Sequence, residues 1–241
     1  MQTSSSTSPT TLRWAGVIAV CAALLGVIAD LALQYTSNTA HLLSDQSLYL
    51  LDVPPSRLLL GHYLGVVAIL LETAGFWQIY RGLLPAGERS ALPFFLISSF
   101  GAMLGAAYHA TFVFVGLTLQ AQSTAVATAQ PAFSALLTSF DSARIGLALP
   151  ALLGIVISSL WYAIVVGFRP SNYPRWMALC NPVVFLVVIV ILAVVIRPLA
   201  LVLAPTALNL SHLLFFAFSA ATLWNTGQLR RSPRLEVVDP G

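Results

Sequence analysis

The chain alternates between long apolar stretches and short polar connections. Six stretches are long and apolar enough to cross a bilayer, which takes about 20 residues of helix, and they lie at about 12–35, 57–82, 91–119, 142–168, 177–197 and 206–229. Residues 1–11 are rich in Ser and Thr and are predicted to be a disordered lead, and 230–241 form a polar tail. The pattern predicts an all-α polytopic membrane protein with six transmembrane helices in one bundle over 12–229.

Two of the connections carry short amphipathic patterns of their own. The first, in 36–56, has four apolar residues on one side of a predicted interfacial helix: Leu42, Leu43, Tyr49 and Leu50. The second, in 120–141, follows Pro131 and has apolar residues at i, i+3, i+4 and i+7, the spacing of an amphipathic helix: Phe133, Leu136, Leu137 and Phe140. We expect the second segment to be a lid lying on the bundle.

Composition supports a membrane location and narrows the chemistry. Hydrophobic residues make up 58% of the chain and charged residues 8%, far from the roughly 25% charged residues of soluble domains. All eleven basic side chains are arginine, so no lysine can form a retinal or pyridoxal Schiff base. No basic stripe interleaved with aromatic residues is present, so nucleic acid is not an expected partner. Cys21 and Cys180 fall in predicted spans, and no disulfide is expected.

The distribution of arginine predicts the orientation. With six spans the two termini share one side, and eight arginines lie there: Arg13, Arg81, Arg89, Arg169, Arg175, Arg230, Arg231 and Arg234. The other side has only Arg57, Arg144 and Arg197. Because positive residues are retained inside, both termini are predicted to be cytoplasmic, in a protein of the cytoplasmic (inner) membrane.

Ionisable residues inside the spans predict a functional site. Such residues are costly in hydrocarbon and usually face a protein interior or a cavity. The candidate catalytic residues are Asp30, His62, Glu72, His109 and His212. At 1.5 Å per residue, most lie in the outer third of the membrane, whereas Glu72 lies about 20 Å down. Tyr63, Tyr108, Arg57 and Asn209 are candidate substrate-binding residues.

Small residues accompany these polar residues on the same helix faces. Gly26 aligns with Asp30, and Gly61 and Gly65 align with Glu72. Because small residues let helix backbones approach closely, we expect the polar groups to lie on packed faces. A structural role is the alternative for each of them: an interhelical hydrogen bond for a single histidine, and a protonated structural carboxyl for Glu72.

Three imidazoles and a carboxylate are a chemically sensible shell for zinc or iron. The candidate ligands are His62, His109, His212 and Asp30, although none of them has HxxxH or HExxH spacing. Acid–base work or ligand hydrogen bonding by the same groups, without a metal, is the alternative. Haem would need two facing imidazoles, which His62 and His109 could supply, but nothing in the sequence requires it.

Four short motifs resemble those of an uncharacterised family of small bacterial multi-span membrane proteins, known only as a domain of unknown function. The motifs are IADLALQY (28–35), GHYLG (61–65), GFWQIYRGL (75–83) and GAAYH (105–109). The resemblance implies a bacterial membrane location and a shared architecture, and it brings no activity.

Two function classes follow from these patterns. The first is an intramembrane enzyme acting on a lipid or small amphipathic substrate, with a metal as an optional cofactor. The second is a non-catalytic ligand-binding or transport protein that uses the same pocket. In both, the polar pocket is expected to open outward beneath the two amphipathic segments. The sequence gives neither the substrate nor the oligomeric state.

Overall fold

The computed structural model describes residues 8–38 and 47–229, with side chains as far as residue 224. Those residues form seven α-helices joined by short connections and 3₁₀ turns: α1 (Pro9–Gln34), α2 (Pro55–Leu71), α3 (Thr73–Leu83), α4 (Glu88–Thr124), α5 (Gln130–Phe168), α6 (Pro182–Val195) and α7 (Arg197–Leu229). The all-α prediction is confirmed. The polar tail and most of the lead lie outside the described residues.

Helix α1 begins three residues earlier than the predicted span. Ser8 caps it, because its Oγ accepts a hydrogen bond from the Thr11 backbone N–H at 3.1 Å, and Pro9 takes the first helical position. Proline suits that position, since its fixed φ is helical and no backbone donor is lost there.

Among the described residues, five helical segments are long and apolar enough to cross a membrane: Pro9–Gln34, Pro55–Ala86, Glu88–Thr124, Gln130–Phe168 and Arg197–Trp224. These five segments indicate a multi-pass membrane protein. The predicted fifth span, 177–197, contains the apolar helix α6, which has only 14 residues. Among the described residues, the helix lengths therefore support five full-length spans and one shorter apolar helix.

Two predicted connections prove to be helical. Residues 198–205 belong to α7, which begins at Arg197 and contains Pro205 in its interior. Proline within a membrane helix is tolerated when neighbouring groups form hydrogen bonds with the backbone carbonyl that the proline leaves unpaired. Pro205 therefore does not end the helix. The predicted lid is likewise the first part of α5, where Leu137 and Phe140 pack against the cluster around Leu50 and Phe112.

A 3₁₀ helix, Leu48–Asp52, forms a cap over one end of the bundle. Tyr49 and Leu50, two of the four residues predicted to share one side of an interfacial helix, are buried here, whereas Leu42 and Leu43 lie outside the described residues. Gln120 fixes the cap, since its Nε2 donates to the carbonyls of Leu50 at 2.9 Å and Val53 at 2.7 Å. Burial raises the pKa of Tyr49, which keeps the hydroxyl protonated.

The loop 169–181 closes the opposite end. Tyr173 is buried there, and its hydroxyl shares a hydrogen bond of 2.7 Å with Ser219 Oγ on α7. The Asn172 backbone N–H donates to the Gly82 carbonyl at 2.9 Å. Gly82 is needed at this contact, because a Cβ there would lie 2.5 Å from the ring of Tyr173.

The second span is interrupted at Glu72, between α2 and α3. Glu72 keeps a helical φ and ψ of −59° and −20°, and its carbonyl accepts a short-range bond from the Gly75 N–H at 2.8 Å. Around this break, α1 packs against α2, α3 and α7, while α4 packs against α2, α3 and α5. Helix α6 packs mainly on α7. This arrangement leaves α5 and α7 facing each other across an internal space.

Candidate functional site

A cavity of about 290 Å³ lies between α1, the α2–α3 break, α4, α5 and α7. Most of its lining is apolar, with Ile69, Phe76, Phe94 and Phe215 among the larger side chains. Its polar lining residues are Asp30, Gln34, Glu72, Ser98, Tyr108, His109, Ser158, Asn209 and His212. Both carboxyl groups and both imidazoles of this set are at least largely buried.

The first pair of ionisable groups joins α1 to α4. His109 Nδ1 lies 3.6 Å from Asp30 Oδ1, and the other carboxyl oxygen, Oδ2, accepts a hydrogen bond of 2.7 Å from Asn209 Nδ2 on α7. His109 Nε2 lies 3.1 Å from the Gly61 carbonyl of α2. Asp30 and His109 are both only 4% exposed. One polar cluster thus ties four spans together.

Two glycines make the room that this cluster needs. A Cβ on Gly65 would overlap His109 Nε2, so the imidazole lies directly over the glycine. A Cβ on Gly26 would come within 2.7 Å of the Asn209 side-chain amide. The predicted small-residue faces of the first two spans are therefore packed faces, as expected, and each seats a polar side chain of another helix.

The contact with Gly61 fixes where the protons of His109 lie. A carbonyl only accepts hydrogen bonds, so Nε2 must carry a hydrogen toward Gly61. A neutral ring then turns the lone pair of Nδ1 toward Asp30, and two lone pairs facing each other would repel. The Asp30–His109 pair is stable when it holds one proton between Oδ1 and Nδ1, on either partner.

The second pair joins the α2–α3 break to α7. His212 Nδ1 lies 3.0 Å from Glu72 Oε2, and the Glu72 residue is fully buried. The contact has ion-pair distance but lacks hydrogen-bond alignment. The imidazole packs edge-on against Phe76 at 5.9 Å and lies at the same distance from Phe216. One proton shared with Glu72 would again avoid an unpaired charge in this apolar setting.

Helix α7 brings the two pairs to one wall of the cavity. Asn209 and His212 are spaced i and i+3 and so lie on one helix face. Because α7 begins at Arg197, His212 lies about 22 Å along it, close to the depth of Glu72. The sequence-based depth of His212 was counted from residue 206. Because residues 198–205 are helical rather than a connection, His212 lies further along its helix than that count gave.

A family model described as "Family of unknown function (DUF6796)" matches residues 1–226. The chain belongs to this family. The predicted resemblance to an uncharacterised family is thereby confirmed. The match includes every residue of the two pairs, so the site lies within the DUF6796 region. Comparisons with curated proteins and with solved structures find no match.

Three residues predicted for the site of this DUF6796 member lie elsewhere. His62 follows Gly61 on α2 and packs edge-on against Tyr63 and Phe114, outside the cavity lining. Tyr63 is 65% exposed. Arg57 donates to the carbonyls of Leu31 and Tyr35, both at 3.0 Å, and so fastens the start of α2 to the end of α1. Tyr108 and Asn209 do line the cavity.

The predicted metal shell is not assembled in the described part of the chain. No three His, Cys, Asp or Glu side chains converge there on a common point. His109 contacts Asp30, His212 contacts Glu72 and His62 faces aromatic rings, so the four predicted ligands are divided among separate places.

Three polar lining residues were not anticipated: Gln34, Ser98 and Ser158. Ser158 bonds its own helix, at the Ile155 carbonyl, whereas Ser98 Oγ is buried without a hydrogen-bond partner. Ser98 follows Phe94 by one helical turn, but serine is common in membrane helices, and nothing in the residue pattern marks this one as facing a cavity. Asp141 and Arg144 pair at 3.2 Å.

Substituting Glu72 tests whether the second pair holds a proton. Glu72→Gln should change the free energy of unfolding little, because the amide is the same shape as a protonated carboxyl. Glu72→Leu should cost about 1–3 kcal/mol, because His212 Nδ1 loses its buried partner. Unfolding by SDS in mixed micelles measures both. Glu88→Leu is the matched control, since Glu88 is exposed at the start of α4. A large cost for Glu72→Gln would show that Glu72 is ionised.

Proposed function

We propose that this protein binds a small amphipathic ligand in its intramembrane cavity. Binding shifts the protons that the two carboxyl–imidazole pairs hold. One observation carries the proposal: both carboxyl–imidazole pairs lie in the wall of a single, mostly apolar cavity. Small-molecule sites are typically apolar concavities with a few placed polar groups. Ionisable groups at membrane depth mark such sites more often than ordinary packing.

The two pairs let the cavity bind the polar head of a ligand without leaving a buried charge unpaired. While the cavity is empty of ligand, each carboxyl is matched by an imidazole and one proton. A ligand that donates a hydrogen bond to Asp30 or Glu72 can take over the role of that proton. The proton then moves to the imidazole, whose positive charge balances the carboxylate, so that ligand binding and the position of the proton are linked.

The proposal includes a location. Both termini lie in the cytoplasm, in accord with the distribution of arginine. The bundle lies in the cytoplasmic membrane, and the cap Leu48–Asp52 lies on the outer side.

An acid–base enzyme acting on a lipid or small amphiphile is the second candidate. The observation that favours it is the same pairing, because a carboxyl beside an imidazole can act as a general acid and base. The two candidates differ in outcome: binding returns the ligand unchanged, whereas catalysis converts it.

Photoaffinity labelling tests the proposal. A short, water-soluble alcohol bearing a diazirine is added to the protein in phosphatidylcholine nanodiscs, and labelled residues are mapped by mass spectrometry. We expect labelling on the cavity faces of α4 and α7 that excess unlabelled alcohol displaces. His212→Leu should reduce it about tenfold, the effect of losing about 1.4 kcal/mol of binding energy.

Ser211→Ala is the matched control, because Ser211 is the neighbour of His212 on α7, bonds only the Leu208 carbonyl and does not line the cavity. Its labelling should equal that of the natural chain. Labelling confined to lipid-facing residues, or not displaced by excess alcohol, would contradict a binding site. Recovery of the alcohol as a new compound would favour the enzyme.

A further inference from the structure

Large side chains pack at both ends of the cavity. Toward the cap, Phe112 lines it and packs in a cluster with Leu33, Leu50 and Leu58. Toward the loop 169–181, Phe94 and Phe215 line it, and Tyr162 lies behind them at 5.9 Å and 5.0 Å from their ring centres. Tyr162 and Tyr173 are both buried, with ring centres 5.7 Å apart. Among the described residues, these rings fill the end of the cavity toward the loop 169–181.

The exposed part of the lining lies on one side. Leu152 of α5 is 42% exposed, and Ala204 of α7 is also exposed, while both line the cavity. Helix α5 packs on α4, and α7 packs on α1 and α6, so no extensive packing joins α5 to α7. The gap between α5 and α7, bordered by Ala148, Leu152, Ala204 and Leu208, is called the side portal below.

The surroundings of the side portal are those of a lipid-facing surface. Leu149 and Leu153, which flank Leu152 on α5, are each 58% exposed. Val202, beside Ala204 on α7, is 42% exposed. Both helices are among the segments long and apolar enough to cross a membrane. Exposed apolar residues in such segments contact acyl chains, so the portal opens into hydrocarbon rather than water.

We infer that the ligand enters from within the bilayer through the side portal, and that it is a single-chain amphiphile with a hydrogen-bond-donating, non-acidic head. This inference rests on the proposed function, since it describes the ligand of the same cavity. A molecule that reaches the portal must already reside in the membrane. A cavity of about 290 Å³ is at the lower end of small-molecule sites, so it suits one head and part of one chain.

The polar wall selects the head group. It presents the carboxyls of Asp30 and Glu72, and the described lining includes no arginine. Because the chain has no lysine, that wall also lacks an ammonium group. An acidic head would bring a third carboxyl next to two others. The guanidinium of Arg144 lies close to the lining, 4.7 Å over the Phe112 ring, but it is already paired with Asp141 at 3.2 Å, so the added charge would be buried without a free cation, which is costly. A hydroxyl or an amine can instead donate to either carboxyl.

Blocking the portal tests the entry route. The probe is a long-chain alcohol with a mid-chain diazirine, supplied in phosphatidylcholine vesicles that contain the protein. Leu152→Trp and Ala204→Trp should each reduce labelling of the cavity at least about fivefold, because the indole fills the gap and cannot be displaced without overpacking. Leu153→Trp and Ala107→Trp are matched controls, since both positions are exposed on the same or a neighbouring helix and lie outside the lining. The controls should label as the natural chain does.

Blocking the portal chemically, after the protein has folded, separates the effect on entry from any effect on folding. Ala204→Cys, in a chain with Cys21→Ala, is modified after folding with a bulky methanethiosulfonate, and Ala107→Cys is treated in the same way. Labelling should fall only for the Ala204→Cys protein and should return when a reducing agent removes the adduct. Unchanged labelling in both blocked forms would overturn entry through the portal.

The failure of this inference is distinguishable from the failure of the proposed function. If the short water-soluble alcohol labels the cavity but the long-chain alcohol does not, the cavity binds ligands and the membrane route is wrong. If neither probe labels it, the proposed function fails as well. Long-chain amine and carboxylic acid probes test the head: the amine should label comparably to the alcohol and the acid at least about tenfold less. Equal labelling by the acid would overturn the assignment of the head group.

Discussion

Replacing Asp30 by leucine is expected to lower the free energy of unfolding by about 3 kcal/mol, the low end of the cost of breaking a buried pair. Asn209 Nδ2 would lose its 2.7 Å acceptor, and His109 Nδ1 would lose the carboxyl 3.6 Å away. Both side chains would stay buried, because Gly26 and Gly65 hold them in place. The equilibrium of unfolding by SDS in mixed micelles measures the loss.

Asp30→Asn separates the shape of this group from its charge. The amide can still accept a bond from Asn209 and donate one to His109, so its cost should stay near 1 kcal/mol, as for a single altered hydrogen bond. Glu88→Leu is the control, since Glu88 is an exposed carboxyl at the start of α4, and it should change stability little. Equal costs for Asp30→Leu and Glu88→Leu would mean that the cluster does not stabilise the bundle.

Gly65→Ala should be the second large effect, although it adds a single methyl group. The new Cβ would overlap His109 Nε2, so the imidazole must leave its seat and release the Gly61 carbonyl. Overpacking of this kind costs about 1–3 kcal/mol. Binding of the short diazirine alcohol should weaken as well, because the Asp30–His109 pair is displaced within the cavity wall.

A double-mutant cycle identifies the clash. If His109 is the group displaced, Gly65→Ala should cost much less in a His109→Ala background, with a coupling of about 1 kcal/mol or more. Gly105→Ala is the matched control, since it also lines the cavity and its added Cβ would meet only Ile69 Cγ2, at 4.0 Å. Additive costs for Gly65→Ala and His109→Ala would show that the imidazole is not seated on Gly65.

The apolar pattern was sufficient to predict the helices but not where they end. Runs of 20 or more apolar residues leave few alternatives to helix in a membrane. The ends depend on single residues whose effect is set by their surroundings. Pro198 and Pro205 suggested a connection, yet one lies in the first turn of α7 and the other is accommodated in its interior. Gln130 begins a helix that absorbs the predicted lid.

The sequence predicted most of the polar residues of the site, but not which carboxyl pairs with which imidazole. Asp30, Glu72, His109, Asn209 and His212 all line the cavity, because ionisable groups in a membrane helix must turn inward. His62 does not, since one residue along a helix rotates the side chain by about 100°, and the face with Gly61 and Gly65 is the one that packs. The aligned residues Gly61, Gly65 and Glu72 indicated the packed face of α2, and His62 lies off that face.

The 14 residues of α6 have a consequence for the lipid around the protein. A helix of that length extends about 21 Å, against a hydrocarbon thickness of about 30 Å. Hydrophobic mismatch of this size is relieved by thinning of the adjacent bilayer or by flanking arginines reaching for the headgroups. Arg197 stands directly after α6 and can act in this way. Because the other long helices match or exceed the bilayer, the deformation would be one-sided, and headgroups would lie deepest on the flank that α6 shares with α7.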